Sequence, residues 1–80
     1  MRNYDDKGNL LEAYCNCCGK RLRTENGFLR EGCFHGDFTW GYFSQKDGIT
    51  QKFDLCEACF DRITDEFQIP VNEEDTVELL

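Results

Sequence analysis

Two pairs of cysteines constrain this 80-residue chain more than any other feature of its sequence. Cys15 and Cys18 form one C-x-x-C pair, and Cys56 and Cys59 form a second after a gap of 37 residues. The spacing within a pair lets both sulfur atoms point at the same ion. Two such pairs supply the four thiolates of a tetrahedral site, with zinc–sulfur distances of about 2.3 Å. The spacing therefore predicts one metal site with Cys15, Cys18, Cys56 and Cys59 as ligands.

The length of the chain makes such a site useful for folding. A single domain over residues 1–80 buries only about 60% of the surface of its unfolded chain, so a metal or disulfides usually stabilise it further. The start, Met1 to Asp6, is polar, which predicts no secretory leader and a cytoplasmic address. In that compartment paired cysteines hold metal more often than they form disulfides. No apolar run approaches the roughly 18 residues of a membrane span.

Charge is segregated along the sequence. The formal net charge is −7, and residues 61–80 carry −6 of it. The first part of the chain holds a local basic cluster, namely Lys20, Arg21, Arg23 and Arg30. An acidic protein is a poor binder of phosphate backbones, so a nucleic-acid partner is not expected. A basic protein partner is favoured electrostatically.

The first half of the chain reads as turns and short strands. Turn formers over Asp5–Asn9 precede a strand at Leu10–Tyr14. Gly19, directly after Cys18, suits a tight knuckle around the sulfur, because glycine accepts a positive φ. A second turn at Glu25–Gly27 predicts another strand over residues 28–31.

Residues 37–55 carry the clearest β signal and predict a hairpin with Asp47-Gly48 at its tip. Large apolar residues alternate along its two arms: Phe38, Trp40 and Tyr42, then Phe53 and Leu55. We expect the aromatic stripe of Phe38, Trp40 and Tyr42 to belong to the core, because a small domain needs most of its large apolar groups there. Phe34 and Phe43 occupy alternate positions. They are either exposed docking points for a protein partner or covered by the N-terminal strand.

From Cys56 the apolar period changes to that of a helix. Phe60, Ile63 and Phe67 are spaced i, i+3 and i+7, which predicts a helix from about Cys56 to Gln68 that ends before Pro70. The remaining segment, residues 68–80, is acidic. It ends in a small apolar cluster that could dock as a strand or helical turn: Val77, Leu79 and Leu80.

The order of these elements resembles the treble-clef and zinc-ribbon-like classes of four-cysteine zinc finger. The resemblance covers about residues 14–67 and rests on Cys15-x-x-Cys18-Gly19-Lys20, the Asp47-Gly48 hairpin and Cys56-x-x-Cys59 opening a helix. It implies a small α+β metal-stabilised domain with a zinc knuckle, an antiparallel β-sheet with a hairpin, and one α-helix. The chain is also similar to small uncharacterised bacterial proteins that combine such a knuckle with a tryptophan-bearing hairpin. That class of fold hosts many functions.

Zinc is the expected cofactor, and iron is the alternative because the same four cysteines can hold it. Iron sites of the rubredoxin type use two similar glycine-containing knuckles, whereas here Phe60 and a helical pattern follow Cys59. The positive end of that helix favours thiolates. Four thiolates on Zn²⁺ leave a charge of about −2, which Lys20 and Arg21 are expected to offset from outside the ligand shell.

Three further residues with metal-binding chemistry remain: Cys17, Cys33 and His35. On a strand, Cys33 and His35 point to the same face, so with Cys17 they could form a second, incomplete metal site. The simpler interpretation is that the cysteines act as small buried hydrophobes and the histidine is surface or locally hydrogen-bonded. Cys17 could also replace Cys15 as a ligand, although only Cys15 has the C-x-x-C spacing to Cys18.

The sequence does not predict an enzyme. A metal saturated by four thiolates has no open position for substrate, and the chain lacks a metalloprotease motif, a phosphate-binding glycine loop and a convincing nucleophile with its base. We expect a protein-protein interaction or regulatory module with no small-molecule substrate. Two alternatives stay open: nucleic-acid binding through the basic cluster, and a redox-sensing zinc-thiolate switch.

Overall fold

The computed structural model describes residues 1–76, which form a small α+β structure. Its seven strands are β1 (Arg2–Tyr4), β2 (Leu10–Tyr14), β3 (Arg21–Leu22), β4 (Thr24–Glu25), β5 (Phe28–Leu29), β6 (Cys33–Thr39) and β7 (Thr50–Cys56). One helix, α1 (Glu57–Asp65), follows them. The strands form three antiparallel sheets, ordered β1-β2-β3, β4-β5 and β6-β7. Within the described residues, no helix is long and apolar enough to cross a membrane.

The predicted turns of the first half are present. Asp5 Oδ1 accepts the backbone N–H groups of Lys7 and Asn9, both at 2.8 Å, and so closes the turn between β1 and β2. The β4–β5 hairpin turns at Asn26 and Gly27, with φ of 52° and 82°. Two consecutive left-handed residues are what a two-residue hairpin loop requires, and Asn-Gly provides them at low cost.

The hairpin predicted over residues 37–55 is formed by β6 and β7, but it begins earlier and has a longer loop. Its pairing runs from Cys33 opposite Cys56 to Thr39 opposite Thr50. The backbone N–H of Gly48 donates to the carbonyl of Trp40 at 3.0 Å, and Gly48 has a φ of +85°. Asp47-Gly48 therefore lies at the base of the loop, next to the end of β6, and not at the tip of the hairpin.

The core is small and centres on the cysteine pairs. Its buried residues are Ala13, Cys15, Leu22, Leu55, Cys56 and Cys59. Cysteines of the two C-x-x-C pairs thus make up half of the core cluster. Leu29, Cys33 and Phe60 pack against it from partly buried positions.

The expectation that the aromatic stripe belongs to the core is wrong. Phe38 and Tyr42 are 57% and 83% exposed, and only Trp40 is half-buried. Trp40 packs edge-to-face on Phe38, with ring centroids 5.1 Å apart. The physical reason is that β6 and β7 form a two-stranded sheet. Alternation predicts which side chains share a face, but no second layer formed by residues 1–76 covers the face that carries Phe38. Tyr42 lies beyond the end of β6, in the loop.

Phe34 and Phe43 are exposed, at 42% and 99%. The N-terminal strand does not cover them. Of the two alternatives given by the sequence, exposure is therefore the correct one for both residues.

The helix is shorter than the predicted span to Gln68. It ends at Asp65, where the N–H groups of Glu66 and Phe67 bond to carbonyls three residues back, at 3.2 and 3.1 Å. Phe67 is 49% exposed, so its side chain packs too little against the core to stabilise a further turn of helix. Residues 66–76 have no regular structure. The predicted docking of Val77, Leu79 and Leu80 falls outside the described residues.

Asp54 on β7 joins the hairpin to the N-terminal strand. It is only 1% exposed and accepts hydrogen bonds from Arg2 Nε at 3.0 Å and from the Met1 nitrogen at 2.8 Å, while His35 Nδ1 lies 2.9 Å away. Burial alone would raise the pKa of Asp54, but these partners outweigh burial and lower it to about 2. Because the pKa is depressed, the carboxylate stabilises the fold above its unfolded pKa and loses that contribution as the pH falls toward 2.

Replacing Asp54 with asparagine should destabilise the domain by about 2 kcal/mol, because the buried side chain then no longer offers a charged acceptor to Arg2 and the Met1 nitrogen. Urea unfolding at neutral pH measures this. Asp37→Asn, an exposed change on the partner strand β6, is the matched control and should stay within about 0.5 kcal/mol of the parent. Equal stability of the two variants would contradict a structural role for the Asp54 carboxylate.

Candidate metal centre

The structure brings the two predicted cysteine pairs to one point. The Sγ atoms of Cys15, Cys18, Cys56 and Cys59 all lie within 4.8 Å of one another. The Cys18 and Cys56 sulfurs are 3.9 Å apart, close to the edge of about 3.8 Å that a tetrahedron with 2.3 Å zinc–sulfur bonds requires. Cys15, Cys56 and Cys59 are buried, and Cys18 is exposed. The cluster can therefore accept a metal ion with little movement.

The first pair is carried by a knuckle of tight backbone hydrogen bonds. The N–H of Cys15 donates to the Lys20 carbonyl at 2.9 Å, and the N–H of Gly19 donates to the Cys15 carbonyl at 2.8 Å. Gly19 has a φ of +80°, as the sequence predicts, because a side chain at this conformation would be strained. These bonds fold the backbone closely around the first sulfur.

The second pair lies where β7 becomes α1. Cys56 ends the strand and is the N-cap of the helix, with φ −69° and ψ 160°, and its side chain makes no capping hydrogen bond. Cys59 lies in the first turn of the helix and is buried. The free N–H groups and the positive dipole end of the helix stabilise negative sulfur here.

The thiols of the cluster differ in their acidity. Burial alone would raise the pKa of Cys15, but backbone N–H groups of Cys18, Cys56 and Cys17 point at its sulfur and lower the pKa to about 6. Burial, aided by hydrogen bonds with the neighbouring sulfurs, raises the pKa of Cys59. The backbone N–H groups around Cys15 therefore favour its thiolate form without help from a metal ion. A full set of four thiolates needs a cation at the centre of the cluster.

Arg62 is the cation closest to the cluster, and sequence reasoning missed it. Its Nη2 lies 3.5 Å from the Sγ atoms of both Cys17 and Cys59, and attraction to these sulfurs raises the pKa of Arg62. Lys20, the predicted counter-charge, forms an ion pair with Glu31 at 3.0 Å and acts on the cysteines only at longer range. No hydrogen bond joins Arg21 to a cysteine in residues 1–76.

Asn16, also missed, ties the knuckle to the strand that carries the second pair. The N–H of Asn16 donates to the Asp54 carbonyl at 2.7 Å, and Asn16 Oδ1 accepts the N–H of Asp54 at 2.9 Å. Since Asp54 lies two residues before Cys56, these bonds fix the distance between the cysteine pairs. The one sequence signal for this contact was the charged residue Asp54, which stands between the apolar residues Phe53 and Leu55.

The remaining cysteines and the histidine do not form a second metal cluster within the described part of the chain. Cys33 and His35 share a face of β6, as expected, but both approach Asp54: Cys33 Sγ at 3.6 Å and His35 Nδ1 at 2.9 Å from Oδ1. Cys17 lies elsewhere and contacts Arg62. The locally hydrogen-bonded interpretation of His35 is therefore the one that the structure supports.

Four sulfur donors with no nitrogen or oxygen among them fit zinc or iron, and both are held by thiolates in this geometry. When bound, such an ion links the knuckle, the end of β7 and the start of α1. Cys15, Cys18, Cys56 and Cys59 would hold it, and Arg62 would offset part of the negative charge. The arrangement is suited to structural stabilisation.

Replacing Cys15 with serine should abolish stoichiometric metal binding, because a serine hydroxyl is a poor zinc ligand compared with a thiolate. Elemental analysis of protein purified under reducing conditions measures this. Cys17→Ser is a closely matched control, two residues away, and should retain about one ion per chain. Metal loss in the Cys17 variant but not in the Cys15 variant would overturn the ligand assignment.

Replacing Arg62 with glutamine should weaken zinc affinity about tenfold, because groups just outside the ligand shell commonly contribute that much. Competition with a chromophoric chelator measures the affinity. Arg21→Gln removes the same charge from β3 and should leave the affinity unchanged. Equal effects of the two variants would mean that only net charge matters and not the contact at Cys59.

Comparisons with known proteins assign no family to this chain. No family model, curated protein or solved structure matches it. The similarity to zinc fingers therefore rests on the four converging sulfur atoms in a small α+β fold.

Proposed function

We propose that this chain is a small, non-catalytic, zinc-binding domain that serves as a protein-interaction module. The observation that carries the proposal is the convergence of four sulfur atoms, three of them buried, at the centre of the core. A metal bound by four thiolates is coordinatively saturated and offers no position to a substrate or water. Its role is then to hold the fold, as treble-clef fingers do.

Zinc is favoured over iron by the unequal surroundings of the two cysteine pairs. The first pair lies in a glycine-containing knuckle, while the second opens a helix at Glu57. Iron sites of the rubredoxin type use two similar knuckles. A metal bound in this way requires reduced thiols, so the proposal includes a reducing compartment such as the cytoplasm.

The loop between β6 and β7 supports an interaction role. Tyr42 and Phe43 are 83% and 99% exposed there, and large aromatic groups are enriched at the centres of protein interfaces. The loop is held in shape by the hydrogen bond from Trp40 N–H to the Ile49 carbonyl at 3.0 Å. Lys46 Nζ also lies 4.1 Å from the Trp40 ring centroid. A preformed loop loses less entropy on binding than a flexible one.

Two side chains of the basic cluster, the alternative nucleic-acid contact, already bond to neighbouring groups of the protein. Lys20 pairs with Glu31, and Arg23 Nη2 donates to the Arg30 carbonyl at 2.8 Å. Together with the net charge of −7, these contacts favour a protein partner over nucleic acid.

Replacing Tyr42 and Phe43 together with serine should leave metal content unchanged and alter the free energy of unfolding by less than about 0.5 kcal/mol, since neither side chain is packed. Affinity capture from a cell extract, quantified by mass spectrometry, compares this variant with Phe28→Ser, a change of another exposed aromatic residue, on β5. We expect a protein retained by the parent and by the Phe28 variant to be lost from the double variant. An identical set of captured proteins in all three samples would contradict an interaction role for the loop.

A further inference from the structure

The outer edge of β6 is open. Asp54 on β7 uses its N–H and carbonyl to bond Asn16, so the opposing pair of His35 and Asp54 exchanges no backbone hydrogen bonds. Antiparallel pairs alternate, so the backbone groups of His35 and Asp37 point away from β7. No other backbone group of residues 1–76 bonds to them. An unpaired edge of this kind is a template for an added strand.

Beside this edge lies an apolar groove between β6 and α1. A cavity of about 220 Å³ is lined by Cys33, Phe34, Glu57 and Phe60. The Phe34 and Phe60 rings are 5.1 Å apart, and Phe53 extends the cluster along the strand, 6.0 Å from Phe34. A side chain at Gly36 would come within 2.8 Å of the Phe53 ring, so glycine lets that ring lie across β6. The result is a continuous aromatic surface next to the open edge.

The helix side of the groove is acidic. Glu57 lines the cavity, and its carboxylate extends over Gly32, where an added side chain would meet Oε1 at 2.5 Å. Asp61 and Asp65 follow at helical spacing, and all three acids are exposed. Long basic side chains match this surface, because their apolar stems can cover aromatic rings while the cation reaches a carboxylate.

We propose that the β6 edge receives an extended segment of a partner protein that turns apolar residues, and one basic residue near α1, toward the groove. The segment adds a third strand beside β6 through the backbone groups of His35 and Asp37. Its apolar residues pack on Phe34 and Phe53, and a basic residue near α1 reaches Glu57. This inference rests on the proposed function and specifies the partner of that module by its chemistry.

A short blocked peptide of alternating valine and threonine, with arginine at one end of its valine-bearing face, is the probe, titrated into ¹⁵N-labelled, metal-loaded protein and followed by NMR. We expect saturable shifts at the amides of His35 and Asp37 and slower hydrogen exchange there, because both amides gain a hydrogen bond. The same peptide N-methylated at the residues that face β6 should not bind, since it cannot complete the ladder. A peptide with glutamate in place of arginine should bind more weakly than the arginine peptide.

Two pairs of variants test the protein side. Asp37→Pro removes the outward N–H, whereas Asp37→Ala keeps it, so only the proline variant should lose the peptide. Glu57→Gln should weaken binding about threefold, as one exposed charge pair is expected to. Glu25→Gln, an exposed acid on β4, should have no effect.

Equal binding of the N-methylated and unmethylated peptides would overturn the inference, and so would shifts that map to the acidic segment Glu73–Asp75. Concentration-dependent shifts without peptide would also overturn it, because a second copy of the chain would then occupy the edge. A metal-loaded, folded protein that does not respond to the peptide refutes this inference alone. A protein that binds no metal refutes the proposed function itself.

Discussion

The convergence of four cysteine sulfurs on one point, where a single cation could bind them all, is the constraint on which the rest of the structure depends. The sulfurs meet within 4.8 Å, and their residues supply half of the core cluster. Thiols in this surrounding do not all ionise without a cation, since burial raises the pKa of Cys59. A core of this size supplies only part of the free energy that an 80-residue chain needs. Metal binding and folding are therefore expected to be one process.

A second set of contacts works with the cysteines and explains how the strands are placed. Asn16 bonds the backbone of Asp54, and the Asp54 carboxylate bonds Arg2 and faces His35. The same residue thus aligns the knuckle, β1 and β6. By occupying the outer side of β7, Asn16 also leaves β6 as the open edge of the hairpin. Asn16 thus contributes both to the placement of the cysteine pairs and to the covering of one edge of the hairpin.

Short sequence patterns predicted those elements of the fold that are formed by residues close together in the chain. The C-x-x-C spacing, the turn signal at Glu25–Gly27 and the change of period at Cys56 indicated the cluster, a turn followed by a strand, and the helix. Asn16 could not be found in this way, because its role depends on a contact across 38 residues of chain. Arg62 lies one helical turn after Cys59, so helical spacing could have indicated that contact, whereas its contact with Cys17 spans 45 residues. Burial was wrongly predicted for Tyr42 because it lies in the loop beyond β6, and for Phe38 because of the limits of a strand pattern. Alternation defines a face of a sheet, but only tertiary structure decides whether another layer covers it.

The most direct test of the central claim is to remove the metal and follow the tertiary structure. Near-ultraviolet circular dichroism and NMR amide dispersion would be recorded under reducing conditions before chelation, after chelation and after zinc is restored. We expect the aromatic signal and the dispersion to collapse without metal and to return with about one equivalent of zinc. A chain that keeps its native spectrum after complete metal removal would contradict the claim that the four cysteines and their cation hold this fold together.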